Sequence, residues 1–309
     1  MSVMRKVLLA GSTNTWLRER ATKAAFVRRA VSAFMPGETI EDALRAAQGL
    51  KQEGINTILT HLGENLTRVE EAEEVTQHYF EVLDKVSAAG LDAQVSVKPT
   101  QLGLDQDPAI CRANLVRLIE RTEQRNNFLW IDMEGSPYVD PTLDLYRYGR
   151  AKTSKIGVAI QAYLFRSAKD VESLIPIGGA IRVVKGAYLE PPDIAYPKKA
   201  DVDENFFRLC VRLLQPDAIA AGCLLHIATH DMSLVERLSA WIKANSVPDS
   251  AYEFAMLYGI QHGHQQRLAG QGRRLRVLIS YGEYWFPWYM RRLAERPANV
   301  WFVAKNLFG

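Results

Sequence analysis

The sequence is poor in cysteine and contains no long apolar run, and each absence excludes a class of protein. Its 309 residues include only three cysteines, at positions 111, 210 and 223, and no CxxC pair. This spacing disfavours a disulfide framework or a structural zinc site and predicts a reducing, cytoplasmic compartment. No apolar run approaches the roughly 18 residues that a membrane-spanning helix needs. Any membrane contact is therefore predicted to be peripheral.

The chain also lacks a strong charge of either sign and the common phosphate-binding motifs. Lysine and arginine total 38 and aspartate and glutamate total 35, which leaves a net charge of +3. That excess is too small to indicate nucleic acid binding. Neither GxGxxG nor GxxxxGK[ST] occurs, so an open doubly wound sheet that binds a dinucleotide is the less favoured α/β arrangement. Apolar residues at 48% and charged residues at 24% exclude a disordered chain.

The sequence does contain eight short aliphatic and β-branched runs, each ending in a polar or glycine-containing turn. Segments with apolar residues at helical spacing separate them, as in 70–90, where Val75, Tyr79 and Val82 precede Gly90. Strand–helix alternation predicts a buried parallel sheet. Eight units fit a (β/α)8 barrel, a TIM-type α/β fold of about 250 residues. The runs are 55–63, 93–99, 128–135, 157–163, 180–188, 224–231, 252–259 and 276–282.

The first 52 residues or so precede the first predicted strand and have helical patterns of their own. They are expected to form extra helices on the outside or base of the barrel. No linker, low-complexity tract or further repeat interrupts the chain. Residues 1–309 are therefore predicted to form one domain.

Polar side chains follow most of the predicted strands. The carboxyl ends of barrel strands carry the active site, so these groups are expected to share one mouth. Several are cations, which suit an anionic ligand. The residues are Glu64, Lys98, Asp132, Glu134, Gln161, Tyr163, Arg182, Lys185, Tyr188, Thr229, His230, Asp231, Tyr281, Arg291 and Arg292.

Structural roles compete with functional ones at these positions. Arg182 lies within an apolar strand, where an unpaired charge is costly, so it is either functional or a structural partner of Asp132. Lys98 precedes a proline and is equally compatible with a solvated loop. Arg291 and Arg292 could pair with Glu295 on their own helix.

A metal site is the less favoured use of the histidines. His226 and His230 are four residues apart on one predicted strand, and His61 could join them. Metal-binding barrels usually draw further ligands from the first strand, which contains no HxH motif. No metal is therefore predicted.

Four motifs together resemble the monofunctional bacterial proline dehydrogenases. They are IRVVKGAYLEPP (181–192), IATHD (227–231), FAMLYGI (254–260) and YGEYWFPWYMRRLAERPANVWFV (281–303). The resemblance runs from about Glu53 to Phe302 and includes the order and spacing of the eight strand ends. The combination of RVVKGAYLEP with the RRLAERPAN segment is highly specific.

This resemblance implies an FAD-dependent barrel that oxidises L-proline to 1-pyrroline-5-carboxylate, the first step of proline catabolism to glutamate. It implies electron transfer to a membrane quinone, peripheral contact with the inner face of the cell membrane, and transfer of the product to a separate pyrroline-5-carboxylate dehydrogenase.

The resemblance also implies roles for individual residues. Asp132 and Arg182 correspond to the catalytic pair, and Lys98, Arg291 and Arg292 to the clamp that holds the substrate carboxylate. Tyr188 and Leu257 correspond to walls around the substrate ring, and Glu64 to a gate partner of Arg291. The implied FAD contacts are Met133, Gln161, Arg182, Lys185, Gly186, Ala187, Thr229 and His230.

The eighth strand departs from the family pattern. The family usually reads RVYxPYG, whereas this chain reads RVLISYG, so Leu278 replaces a tyrosine and Ser280 a proline. In the family that tyrosine lies near the proline ring and helps to reject hydroxyproline. Leu278 therefore puts the selectivity against 4-hydroxyproline in doubt.

Two other classes of function remain open at this point. A Schiff-base aldolase or phosphate-binding barrel enzyme could use Lys98 or Lys185 and would be colourless, whereas a flavoenzyme would be yellow. A non-enzymatic regulator could also keep the barrel, although the intact clamp and flavin residues argue against that.

Overall fold

The predicted barrel is confirmed. The computed structural model describes residues 31–63, 66 and 68–295, except for the side chains of 292–295. Eight parallel strands close into a barrel in chain order, with the first strand hydrogen-bonded to the eighth. The strands are β1 (Asn56–His61), β2 (Ala93–Val97), β3 (Leu129–Ile131), β4 (Ile156–Gln161), β5 (Gly179–Val184), β6 (Cys223–Ala228), β7 (Tyr252–Leu257) and β8 (Leu275–Tyr281).

Helices connect the strands and pack around them. Of the predicted N-terminal helices, one precedes β1 as expected, and residues 1–30 lie outside the described part of the chain. The helices are α1 (Ile40–Gln52), α2 (Val69–Ala88), α3 (Pro108–Gln124), α4 (Val139–Arg150), α5 (Ser167–Leu174), α6 (Lys199–Leu213), α7 (Pro216–Ala220), α8 (Met232–Ala244), α9 (His262–Gly270) and α10 (Trp285–Glu295). No helix in the described residues is long and apolar enough to cross a membrane.

Local sequence explains where some helices begin. Thr39 and Asp42 form a capping box at the start of α1, since each side chain accepts a hydrogen bond from the other residue's backbone N–H. The Asp107 carboxylate caps α3 by accepting from the Ala109 N–H, and Pro108 occupies the first helical position, where no N–H is needed.

The aromatic segment 284–290 is largely buried. Trp285, Phe286 and Tyr289 are almost inaccessible to solvent, whereas Tyr284 is 62% exposed. The Trp285 indole N–H donates to Glu38 at 3.0 Å, which ties α10 to the segment before α1. This packing places α10 beside the carboxyl ends of the strands.

Small side chains line the upper part of the barrel interior. Barrel interiors are normally filled by layers of bulky branched residues. Here Ala159, Ala228 and Ala255 face the interior on β4, β6 and β7 and line a cavity at the carboxyl ends of the strands. These alanines leave space that larger side chains would fill.

Candidate active site

The cavity lies at the predicted mouth of the barrel. Its volume is about 1850 Å³, larger than the roughly 300–1,000 Å³ of most small-molecule pockets, so a cofactor and a substrate fit together. Glu64 and the side chain of Arg292 lie outside the described residues, and the gate and clamp roles expected of them remain predictions. The predicted site residues that line the cavity are Lys98, Asp132, Met133, Gln161, Arg182, Lys185, Gly186, Ala187, Tyr188, Thr229, His230, Leu257, Leu278 and Arg291.

Asp132 and Arg182 form a buried ion pair at the base of the cavity. Arg182 Nη1 lies 3.0 Å from Asp132 Oδ1, and Ser96 Oγ donates to the same oxygen at 2.8 Å. Burial lowers the pKa of Arg182, and the carboxylate opposes that effect, so the guanidinium stays charged. The side chain of Arg182 is 5% exposed and that of Asp132 is 19% exposed. Asp132 therefore remains accessible to a ligand.

Two further cations, Lys98 and Arg291, line the same cavity as this pair. Lys98 is buried, yet it has no ion pair with any residue in the described part of the chain. Arg291 extends from α10, with its guanidinium carbon 5.4 Å from the centre of the Tyr188 ring. A buried ammonium is costly without a counter-charge. The cavity therefore suits an anionic group such as a carboxylate.

The loop between β5 and α6, residues 185–198, crosses the cavity and is called the strap below. It carries Lys185, Gly186, Ala187 and Tyr188. Gly186 has a φ of +107°, and a Cβ there would come 2.4 Å from the Tyr163 ring. Only glycine can adopt this conformation so close to the ring. Tyr163 thus fixes the start of the strap from below.

Glu190 anchors the strap to the segments that follow β3 and β4, and no motif or periodicity in the sequence indicated this role. Its carboxylate accepts hydrogen bonds from the Ser136 N–H at 2.8 Å, the Ser136 hydroxyl at 2.5 Å and the Tyr163 hydroxyl at 3.2 Å. The residue is only 8% exposed. A buried carboxylate with three donors holds the loop more firmly than its apolar contacts alone would.

A cluster of four charges lies where the strap meets α6. Lys185 Nζ is 2.5 Å from Asp203 Oδ1 and 2.9 Å from Asp231 Oδ2, and Lys199 contacts both carboxylates. Partial burial opposes ionisation of Asp231, but hydrogen bonds from Lys199, Ser233 and Lys185 outweigh it and lower the pKa of that carboxyl. The sequence indicated Lys185 and Asp231 but not Lys199 or Asp203. Their side chains meet only because α6 returns along the mouth.

His226 and His230, the two histidines considered above for a metal site, have different surroundings in the structure. His230 lines the cavity, and its Nε2 accepts from the Leu257 N–H at 3.3 Å. His226 is fully buried below it, with Nε2 3.1 Å from Glu253 Oε2. Within the described ranges, no group of three His, Cys, Asp or Glu side chains is placed to hold a metal ion.

Several polar atoms in the cavity wall can hold a cofactor. Gln161 Nε2 donates to the Glu134 carbonyl at 3.1 Å, while its buried Oε1 has no hydrogen-bond partner among the described residues. The same is true of Arg182 Nε. Buried polar atoms are normally hydrogen-bonded, so these two point to a polar ligand. Lys185, by contrast, contacts two carboxylates, unlike the apolar or cation-flanked lysines that form Schiff bases.

Comparison with known proteins gives a consistent result. The family model described as "Proline dehydrogenase" matches residues 43–305. "Proline dehydrogenase" of Deinococcus radiodurans is 36% identical over 279 residues, which cover 89% of this chain and 88% of that protein. "Proline dehydrogenase 1" of Bacillus subtilis (strain 168) is 33% identical over 305 residues, 99% of each chain.

Longer proteins contain a similar region. "Bifunctional protein PutA" of Escherichia coli (strain K12) is 26% identical across 87% of this chain, but only 23% of that protein is covered. The crystal structure of proline utilization A from Bdellovibrio bacteriovorus superposes with a TM-score of 0.80 at 22% identity. The match covers 94% of this chain and 36% of that one, and it shows a shared barrel fold.

Proposed function

Because the chain belongs to the proline dehydrogenase family, we propose that it oxidises L-proline to 1-pyrroline-5-carboxylate with bound FAD. The observation that carries the proposal is the cavity, which combines the buried Asp132–Arg182 pair with the Lys98 and Arg291 cations. When bound, FAD would supply a two-electron acceptor for the hydride that leaves C5 of proline, with a quinone as the final acceptor of the electrons. Side chains of the protein would bind and orient the substrate and stabilise the charges that change during the reaction.

The cofactor would be held by groups on the walls and on the strap. Gln161 and Arg182 offer the unpartnered polar atoms for the flavin ring. The Lys185 ammonium has three N–H donors and two carboxylate partners, which leaves one donor for the pyrophosphate. The backbone N–H groups of Gly186 and Ala187 would supply the other contacts without a Rossmann loop. Met133, Thr229 and His230 complete the proposed contacts.

The substrate would be held by its carboxylate. Lys98 and Arg291, with Arg292, supply cations, and an arginine can bind a carboxylate through two parallel hydrogen bonds. Tyr188, Leu257 and Leu278 would enclose the ring. Closure of the strap and α10 over the substrate would exclude water from the reacting atoms.

Asp132 and Arg182 would act on the charges that change during oxidation. Proline must react as its neutral amine, and the accessible Asp132 oxygen can accept a hydrogen bond from that nitrogen. Arg182 would place a positive charge beside the group that gains electrons, which raises its electron affinity. The Ser96 hydroxyl orients the carboxylate between the two.

The proposed acceptor of the electrons is a membrane quinone, reached from the cytoplasm through peripheral contact. The product would pass to a separate pyrroline-5-carboxylate dehydrogenase.

The test is the absorption spectrum of the purified protein before and after L-proline is added without oxygen. We expect flavin absorption that bleaches with L-proline, and no bleaching with D-proline as the control. A colourless protein that cannot be reconstituted with FAD would overturn the proposal. A colourless protein trapped by borohydride on Lys98 or Lys185 would favour the Schiff-base alternative.

A further inference from the structure

Trp130 is an unusual residue for the interior of this barrel. It is completely buried on β3, two residues before Asp132, and therefore faces the interior below the ion pair. Barrel interiors are mostly filled by branched aliphatic side chains. A rigid indole directly beneath a reactive pair calls for a specific explanation.

The indole is fixed from three sides. Gly157 is its register partner on β4, and a Cβ there would come 2.5 Å from indole Cζ3. The indole N–H donates to Gln94 Oε1 at 2.6 Å. The His226 ring packs against it, with 4.3 Å between ring centres. The indole therefore has almost no freedom to shift or rotate.

This fixed ring supports the guanidinium of Arg182. The guanidinium carbon lies 4.4 Å from the centre of the indole, within the range of a cation–π contact, which is stronger where water is excluded. Asp132 holds the edge of the same guanidinium at 3.0 Å. Together these contacts determine both the height and the tilt of the Arg182 side chain.

Further contacts extend from the indole and His226 toward the amino-terminal ends of the strands. Next to His226, Glu253 accepts from Arg276 Nε at 2.9 Å, and Arg276 in turn contacts Asp92 at 2.8 Å. Burial lowers the pKa of His226 to about 4, so its ring is neutral near pH 7 and does not repel Arg182. The stack thus joins two ion pairs through two aromatic rings.

We infer that Trp130 is a positioning residue for the proposed oxidation, and that the missing side chain at Gly157 leaves the space that its indole occupies. Its indole sets the height and tilt at which Arg182 meets the flavin. The inference rests on the proposed function, since Arg182 acts on the reduced flavin in that scheme. Neither Trp130 nor Gly157 lines the cavity, so both act only through Arg182.

The test is Gly157→Ala, which should push the indole from behind without touching the cavity. Gly149→Ala is the matched control, because its Cβ would come 2.7 Å from Ile156 Cδ1 on the outer side of the same strand. We expect Gly157→Ala to slow anaerobic flavin reduction by L-proline about tenfold or more, as small misplacements of a reactive group do. The flavin midpoint potential should also become more negative. The control should lower only the melting temperature.

Binding of tetrahydrofuran-2-carboxylate separates positioning from general damage, because it reports on the carboxylate clamp rather than on Arg182. Its dissociation constant should stay within about twofold in both variants. Trp130→Phe, which keeps a ring but loses the N–H, provides the same comparison if Gly157→Ala does not fold.

The two proposals fail in different ways. If the folded variants keep the normal reduction rate and potential while melting earlier, the positioning role is wrong and the proposed function stands. If the unaltered protein takes up no flavin, the proposed function is wrong, and the positioning role with it.

Discussion

Lys98 is the residue at which a ligand role and a structural role give opposite expectations. A lysine buried without an ion pair among the described residues costs folding free energy, but it would bind a carboxylate strongly. Loss of one such charge from a desolvated site typically costs about 2–5 kcal/mol of binding free energy. We expect Lys98→Met to weaken tetrahydrofuran-2-carboxylate binding more than tenfold, to leave flavin content unchanged and to raise the melting temperature, because the uncompensated buried charge is removed.

Exposed Lys169 supplies the control for that measurement. Lys169→Met should change neither binding nor stability. An unchanged dissociation constant in Lys98→Met would remove Lys98 from the clamp.

The second prediction at the scale of single residues concerns Leu278. It lines the cavity and lies between Ile58 and Leu257 in the strand register. Leucine is smaller than tyrosine and offers no hydrogen bond, so Leu278→Tyr should lower kcat/KM for 4-hydroxyproline relative to proline, and Leu278→Ala should raise it. A ratio that is the same in all three proteins would show that this side chain does not control selectivity.

At the scale of the elements, the strap depends on Glu190. Glu190→Gln removes the negative charge that strengthens the hydrogen bonds from the Ser136 N–H, the Ser136 hydroxyl and the Tyr163 hydroxyl. Hydrogen bonds to charged groups contribute about 1.5–3 kcal/mol, whereas neutral ones contribute about 0.5–1.5 kcal/mol. Tyr188 and the backbone at Gly186 should then shift. We expect weaker FAD binding and a higher KM for proline, both measured on the purified protein.

Glu172, which pairs with Arg212 on the outer surface, serves as the comparison. Glu172→Gln should leave FAD binding and KM as they are. If Glu190→Gln behaves in the same way, the strap does not need this anchor.

The positions of the strands could be predicted from the sequence, but the contacts that hold the strap could not. Runs such as 180–188 are recognisable because a buried strand needs consecutive apolar residues, and their ends indicated Asp132, Arg182 and Lys185. Glu190 and Lys199 follow no such period, because their partners come from loops and helices distant in the chain. Trp130 was likewise indistinguishable from ordinary core, since its role depends on the glycine opposite it.

At the scale of the whole molecule, one buried and one partly buried histidine predict a loss of stability in mild acid. Burial lowers the pKa values of His61 and His226 to about 4, whereas the unfolded value is 6.5. Below pH 6.5 the unfolded chain therefore binds more protons than the folded chain. The free energy of unfolding is undiminished above pH 6.5 and decreases as the pH falls toward 4. At pH 5, each of these two histidines should lower the free energy of unfolding by about 2 kcal/mol relative to neutral pH.

Melting curves between pH 7 and 5 measure this effect above the range in which carboxylates titrate. The His61→Leu variant should show a shallower decline, whereas His264→Gln, at a partly exposed position, should show the decline of the unaltered protein. A melting temperature independent of pH over this interval would contradict the neutral burial of both rings.

Pairing of β1 with β8 has a consequence for synthesis. Residues 56–61 pair with residues 276–281, so the ribosome must synthesise more than 200 further residues after β1 before the ring of strands can close. Until then β1 has one unpaired edge, and the last wall of the cavity, with Leu278, is missing. Nascent chains that stop before Leu275 should therefore be unable to retain flavin and should be the species most in need of chaperones. Cofactor loading would then be a late event, completed only after residues 275–281 have left the ribosome.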